Sequence, residues 1–201
     1  MQPWLALGNR YGRRSGRINC RHFITNSQGA FQMLQKIDFQ FQGITEELLM
    51  VDEFLSSPHP YEQGLVKYVY KDASFGLNSP MEYLEHCDDK PIKVEGYERL
   101  NATMFRECQR LADYFGHIGY VSCHLFISPK GSSSFSMHTD PDDVVVHVIT
   151  GGKDFESIGQ RESLKAGEVL YIPRNHPHRA INTDSSLMLS FGLELFLEQK
   201  L

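Results

Sequence analysis

In the run Ser136-Met137-His138-Thr139-Asp140 an imidazole and a carboxylate stand two residues apart, and a second histidine-rich run, Asn175-His176-Pro177-His178, follows downstream. On extended backbone, alternate side chains share a face, so His138 and Asp140 can point into one cavity. A third donor must come from elsewhere. His178 is the best placed, because it follows the strand-like run Glu168-Val169-Leu170-Tyr171-Ile172, which itself starts after a turn-forming Ala166-Gly167. His176 competes with it, two residues away. Two neutral imidazoles and one carboxylate on a single face of a metal leave the opposite face open, which is the arrangement that lets non-haem Fe(II) hold other molecules beside a substrate.

The rest of the chain has to position those groups. From Ser27 the spacing of Phe31, Leu34 and Ile37 predicts a helix, and a second is expected over residues 46–55 with Thr45 as its cap and Pro58 and Pro60 as its stop. Residues 65–70 alternate as a strand, and Ser79-Pro80 opens a short helix. Leu100, Met104, Cys108, Leu111 and Phe115 form one apolar stripe, closed by Gly116, opposite Arg106, Gln109, Arg110 and Asp113. Such a helix lies against a sheet with one side wet.

Beyond that helix the period changes. Val121, Cys123, Leu125 and Ile127 alternate with Tyr120, Ser122, His124 and Phe126, and residues 144–149 are β-branched except for His147, as in a strand covered on both faces. Turns at Gly151-Gly152, Gly167 and Asn182-Thr183-Asp184 separate further strands, the last running through Leu187, Leu189, Phe191, Leu193 and Leu195. Short strands with no crossover helices between them argue for an antiparallel sandwich or barrel.

Composition bounds the rest. The 201 residues, 41% hydrophobic and 22% charged, suit one soluble globular domain, and no apolar run approaches the roughly 20 residues that span a bilayer. A net charge of −5 gives no reason to expect direct binding of nucleic acid. Arg10, Arg13, Arg14, Arg17 and Arg21 are read as a solvated N-terminal arm rather than a transit peptide, because Gly8, Gly12 and Gly16 spoil an amphipathic helix. Cys20, Cys87, Cys108 and Cys123 have no metal-site spacing, so an intracellular, cytoplasmic setting with structural thiols is expected. His59, His86 and His117 are read as surface or capping histidines.

The ordered series Phe126-Ile127-Ser128-Pro129-Lys130-Gly131, His138-Thr139-Asp140, Gly151-Gly152-Lys153-Asp154-Phe155, Gly167 to Pro173, Pro177-His178-Arg179-Ala180 and Ser186 to Gly192 resembles the motifs of JmjC-type, cupin-fold 2-oxoglutarate oxygenases, nearest to the ribosomal-oxygenase-like branch. The resemblance covers about the last hundred residues. It implies a mainly β fold, with a double-stranded β-helix (cupin or jelly-roll) core over residues 98–201 and an α+β N-terminal region, residues 1–97, packed on it as part of one structural domain. It implies Fe(II) held by His138, Asp140 and His178, and 2-oxoglutarate as cosubstrate. Lys153, on the strand following the H-x-D strand, would anchor the distal carboxylate, and Ser190 would face the same cavity. Phe155 and Val148 depart from the usual tryptophan and polar residue.

The function so implied is a dioxygen-consuming hydroxylase that releases succinate and CO2. By branch its substrate would be a peptide or protein side chain; a small molecule is expected as a close second, because the helical dimerisation and winged-helix-like regions usual in that branch do not fit in this sequence. Two other readings stay open: a metal-dependent cupin isomerase or dioxygenase that needs no 2-oxoglutarate, and a catalytically silent cupin binding module. Oligomeric state is not legible.

Overall fold

The computed structural model describes residues 33–132 and 134–195. The arginine-rich arm, Cys20 and the Ser27 cap lie outside the described residues. Among those described, the elements run β1 (Gln35–Lys36), α1 (Glu46–Leu49), α2 (Val51–Ser56), α3 (His59–Glu62), β2 (Val66–Tyr70), β3 (Ala73–Gly76), α4 (Pro80–His86), β4 (Ile92–Val94), α5 (Ala102–Phe115), β5 (Tyr120–Ser128), β6 (Asp143–Thr150), β7 (Gly152–Ser157), β8 (Gln160–Lys165), β9 (Val169–Ile172), β10 (His178–Ile181) and β11 (Ser186–Glu194).

The strands form two antiparallel sheets. The larger has the order β1-β9-β6-β11-β5-β4-β2-β3 and the smaller β10-β7-β8. Side-chain alternation gives the larger sheet two different faces. On one face, Val121, Cys123, Leu125, Val145, Leu189 and Phe191 join Met104, Cys108 and Leu111 of α5 in the larger core. On the other, Val144, Val146, Val148, Leu170, Ile172 and Met188 meet Phe155 and Leu164 of the smaller sheet. The uninterrupted valines of β6 follow from this double coverage, and the fold is the expected mainly β jelly-roll sandwich.

Helix α5 shows how the ends are set. The Asn101 side chain accepts from the N–H groups of Thr103 and Met104, and Gly116 closes the helix in the left-handed region. The helix expected over residues 46–55 is present but broken: Thr45 caps α1, Met50 turns left-handed at φ 49°, and α2 begins after it. The proline-rich stop holds for α2 only, because α3 starts at His59.

The helix expected from Ser27 is not found in its described part. Gln35 pairs with Tyr171 and Lys36 with Leu170, making a strand on the edge of the larger sheet. Leu34 enters the core between the sheets while Phe39 enters the core beneath the helices. The side chain of Gln160 also exchanges hydrogen bonds with both backbone groups of Leu34. Here tertiary pairing overrides an apolar spacing that suits a helix equally well.

Candidate metal centre

His138 and Asp140 do not lie in a regular strand. His138 makes an isolated antiparallel bridge with His178, its N–H donating to the His178 carbonyl at 3.0 Å and its carbonyl accepting from the His178 N–H at 2.8 Å. Asp140 is fixed by its carbonyl, which accepts from the N–H of Asn175 at 2.7 Å, and Asn175 is itself left-handed. Two distant pieces of backbone are thereby pinned together at the histidine pair and on its Asp140 side.

One ligand atom from each of His138, Asp140 and His178 lies within 4.8 Å of the other two. His178 Nε2 is 3.4 Å and His138 Nε2 4.0 Å from the Asp140 carboxylate. The Nδ1 atoms sit 2.8 Å from the Ser136 carbonyl and 2.9 Å from the His176 carbonyl, respectively. A carbonyl oxygen only accepts, so each Nδ1 carries the proton and each Nε2 keeps its lone pair for a ligand. Burial pulls the His178 imidazole below its ordinary pKa, which further favours the neutral, metal-binding form. The donor set therefore fits a divalent transition metal.

The triad opens into a cavity of about 350 Å³ between the sheets. Its walls include Phe126, Met188, Phe155 and Ala180, with His124, Ser122 and Ser190 as polar groups and Lys93 reaching in from β4. Ser190 pairs with His124 across β11 and β5.

Lys153 is on the cavity wall too, carried by β7, with β6 intervening between it and the His-x-Asp segment. Its side chain is 1% exposed and its Nζ donates to Ser128 Oγ at 3.0 Å. Burial alone pulls this amine down to about 7. Among the described residues no carboxylate pairs with it. A buried amine with a single neutral acceptor is costly unless an anion joins it.

The sequence had singled out His138, Asp140, His178, Lys153 and Ser190, and the fold brings all five to this cavity. His176 goes elsewhere. Its Nε2 lies 2.6 Å from Ser157 Oγ, whose own proton goes to the Pro177 carbonyl, and its carbonyl orients His178. His147 faces the helix-side core, stacked on Phe41. Ser128 was missed as the amine's partner, although its parity with Phe126 and His124 on one strand signalled the shared face.

Residues 124–194 match the Cupin_2 family, described as a cupin domain. The chain is 30% identical over 101 residues to the bifunctional lysine-specific demethylase and histidyl-hydroxylase NO66 of Branchiostoma floridae, covering 49% of this chain and 16% of that protein. The Dictyostelium discoideum protein of the same name is 23% identical over 140 residues, covering 57% of this chain and 26% of its own length. Among solved structures, YcfD, a ribosomal oxygenase from Escherichia coli, superposes with a TM-score of 0.59 at 18% identity over 86% of this chain and 51% of the other. A second structure of YcfD, in complex with cobalt and succinic acid, gives 0.58 at 15% identity over the same shares.

Proposed function

This chain carries a cupin domain related to the JmjC-type ribosomal-oxygenase branch, as its ordered motifs implied, and from that premise we propose that it is an Fe(II)- and 2-oxoglutarate-dependent oxygenase. The observation that carries the reading is the fully buried, uncompensated amine of Lys153 on the wall of the cavity that holds His138, Asp140 and His178. A neutral substrate gives such an amine no partner, whereas a diacid gives it a carboxylate.

His138, Asp140 and His178 would hold Fe(II), which when bound supplies the activation of dioxygen that is coupled to decarboxylation of 2-oxoglutarate. The chain's own part is positional. The Ser136 and His176 carbonyls fix the tautomer of both imidazoles and aim their Nε2 atoms at the metal position. Lys153 would grip the distal carboxylate of 2-oxoglutarate, and Phe126, Met188, Phe155 and Ala180 keep bulk water from the cosubstrate. Ser190, on the same cavity, would add a hydroxyl to the cosubstrate's polar contacts.

The substrate we favour is a peptide or protein side chain, in keeping with relatives named for histidyl hydroxylation; a small molecule is the second choice. The test is succinate release from 2-oxoglutarate with Fe(II) and dioxygen against a panel of peptides and amino acids. His138→Ala, Asp140→Ala and His178→Ala should each abolish succinate release, and turnover surviving all three would refute the assignment. A cupin that needs no 2-oxoglutarate would be stabilised by an inert divalent metal without responding to the diacid, and a silent binding module would respond to neither.

A further inference from the structure

We propose that Asp72, in the turn of the β2–β3 hairpin, is a positioning residue for the metal centre, fixing the imidazole of His138 through Ser136. The inference rests on the reading of His138, Asp140 and His178 as metal ligands. One Asp72 carboxylate oxygen accepts from the backbone N–H of Ser136 at 2.5 Å and the other from its hydroxyl at 2.9 Å. The Ser136 carbonyl then accepts the Nδ1 proton of His138 at 2.8 Å. The carboxylate therefore acts on the ligand ring through a single intervening residue.

The surroundings give this contact its weight. Residues 134–137 belong to no strand, and among the described residues the two bonds to Asp72 are the hydrogen bonds that tie them to another element. His138 is held from the far side by its bridge to His178. Without Asp72, the carbonyl that orients the ring is anchored only through the backbone on either side. An exposed ion pair contributes little, but a carboxylate taking two donors from one residue, one of them a backbone N–H, is a directional clamp.

The turn itself points the same way. Lys71 and Asp72 both adopt positive φ, 47° and 65°, in a two-residue hairpin loop whose usual occupants are Asn and Gly. Glycine would adopt the second of these positions at least cost, and Asp tolerates it while presenting the carboxylate that reaches Ser136.

The experiment uses the full chain and Co(II) as probe. Asp72→Gly keeps the left-handed turn in a residue that adopts it freely, while removing the carboxylate. We expect its metal-free melting temperature to be equal to or above that of the unsubstituted protein, its Co(II) affinity to fall about tenfold, and its Co(II) visible spectrum to shift, in line with losing the support of a ligating histidine. Asp72→Asn, which retains one acceptor oxygen, should fall between the two. Co(II) binding by Asp72→Gly with unchanged affinity and spectrum overturns the proposal, as does an affinity loss that appears only together with a lower metal-free melting temperature. If the unsubstituted chain itself binds no Co(II), the metal-centre reading fails, and the role of Asp72 with it.

Discussion

Lys153 concentrates the physical tension of the site in one side chain. Its amine titrates near 7 against an ordinary value of 10.5. Between those values the unfolded chain binds the proton and the folded chain does not, so this group makes stability rise with pH across that window; below about 7 the folded protein bears the full cost of a buried charge. On the proposed reading a bound carboxylate would reverse the preference, so above about pH 7 each 2-oxoglutarate would bring one proton with it. We expect affinity for 2-oxoglutarate, measured by calorimetry between pH 6 and 9, to fall toward a limit of about tenfold per pH unit. A flat profile would place the diacid away from Lys153. Lys153→Met should abolish thermal stabilisation by 2-oxoglutarate while leaving the metal-free protein at least as stable at pH 6, because an apolar chain replaces a buried amine. The residues that meet at the cavity were legible in the sequence because few side-chain types suit a metal or an anion and their order was distinctive. Ser128 and Asp72 were less so: a serine in a strand is common, and Lys71-Asp72 lacks the residues that usually announce a tight hairpin.

Local patterns read the elements well where one face was apolar and the other wet. Helix α5 and strands β5, β6 and β11 lie where the periodicity put them, and Asn101→Ala should cost about 1 kcal/mol of stability through loss of the α5 cap, as read by denaturant titration. Strand β1 was misread because Leu34 and Ile37 fit a helical spacing, and only pairing with β9 decides otherwise. The turn between β6 and β7 is less forgiving than a cap. Gly151 has φ 73°, and a Cβ there would lie 1.9 Å from the Ser185 carbonyl oxygen. Gly151→Ala should therefore destabilise the protein by more than the roughly 1 kcal/mol of left-handed strain alone. It should also weaken the response to 2-oxoglutarate, since this turn launches the strand that carries Lys153. A melting temperature within error of the parent would show that the turn can give way.

At the scale of the molecule, the jelly-roll class was visible in alternating strands and turns, but the reach of the larger sheet was not. Strands β2, β3 and β4 join it alongside β5, and pairings between such distant segments leave no local trace. The region matching the cupin domain is consequently only part of a folding unit. Cut out alone, residues 124–194 would uncover Leu125, Val145, Leu189 and Phe191, which α5 and its neighbours bury. We expect that fragment to lack a cooperative thermal transition by circular dichroism, and a sharp one would show that the sandwich is self-sufficient. Strand β5 carries a further implication. Its odd-numbered side chains Val121, Cys123 and Leu125 serve the helix-side core, and its even-numbered Ser122, His124 and Phe126 line the cavity. Ligand preference can thus drift at alternate positions of one strand while the helix-side core stays untouched, so a library randomised at 122 and 124 should remain largely well expressed, and one randomised at 121, 123 and 125 should not.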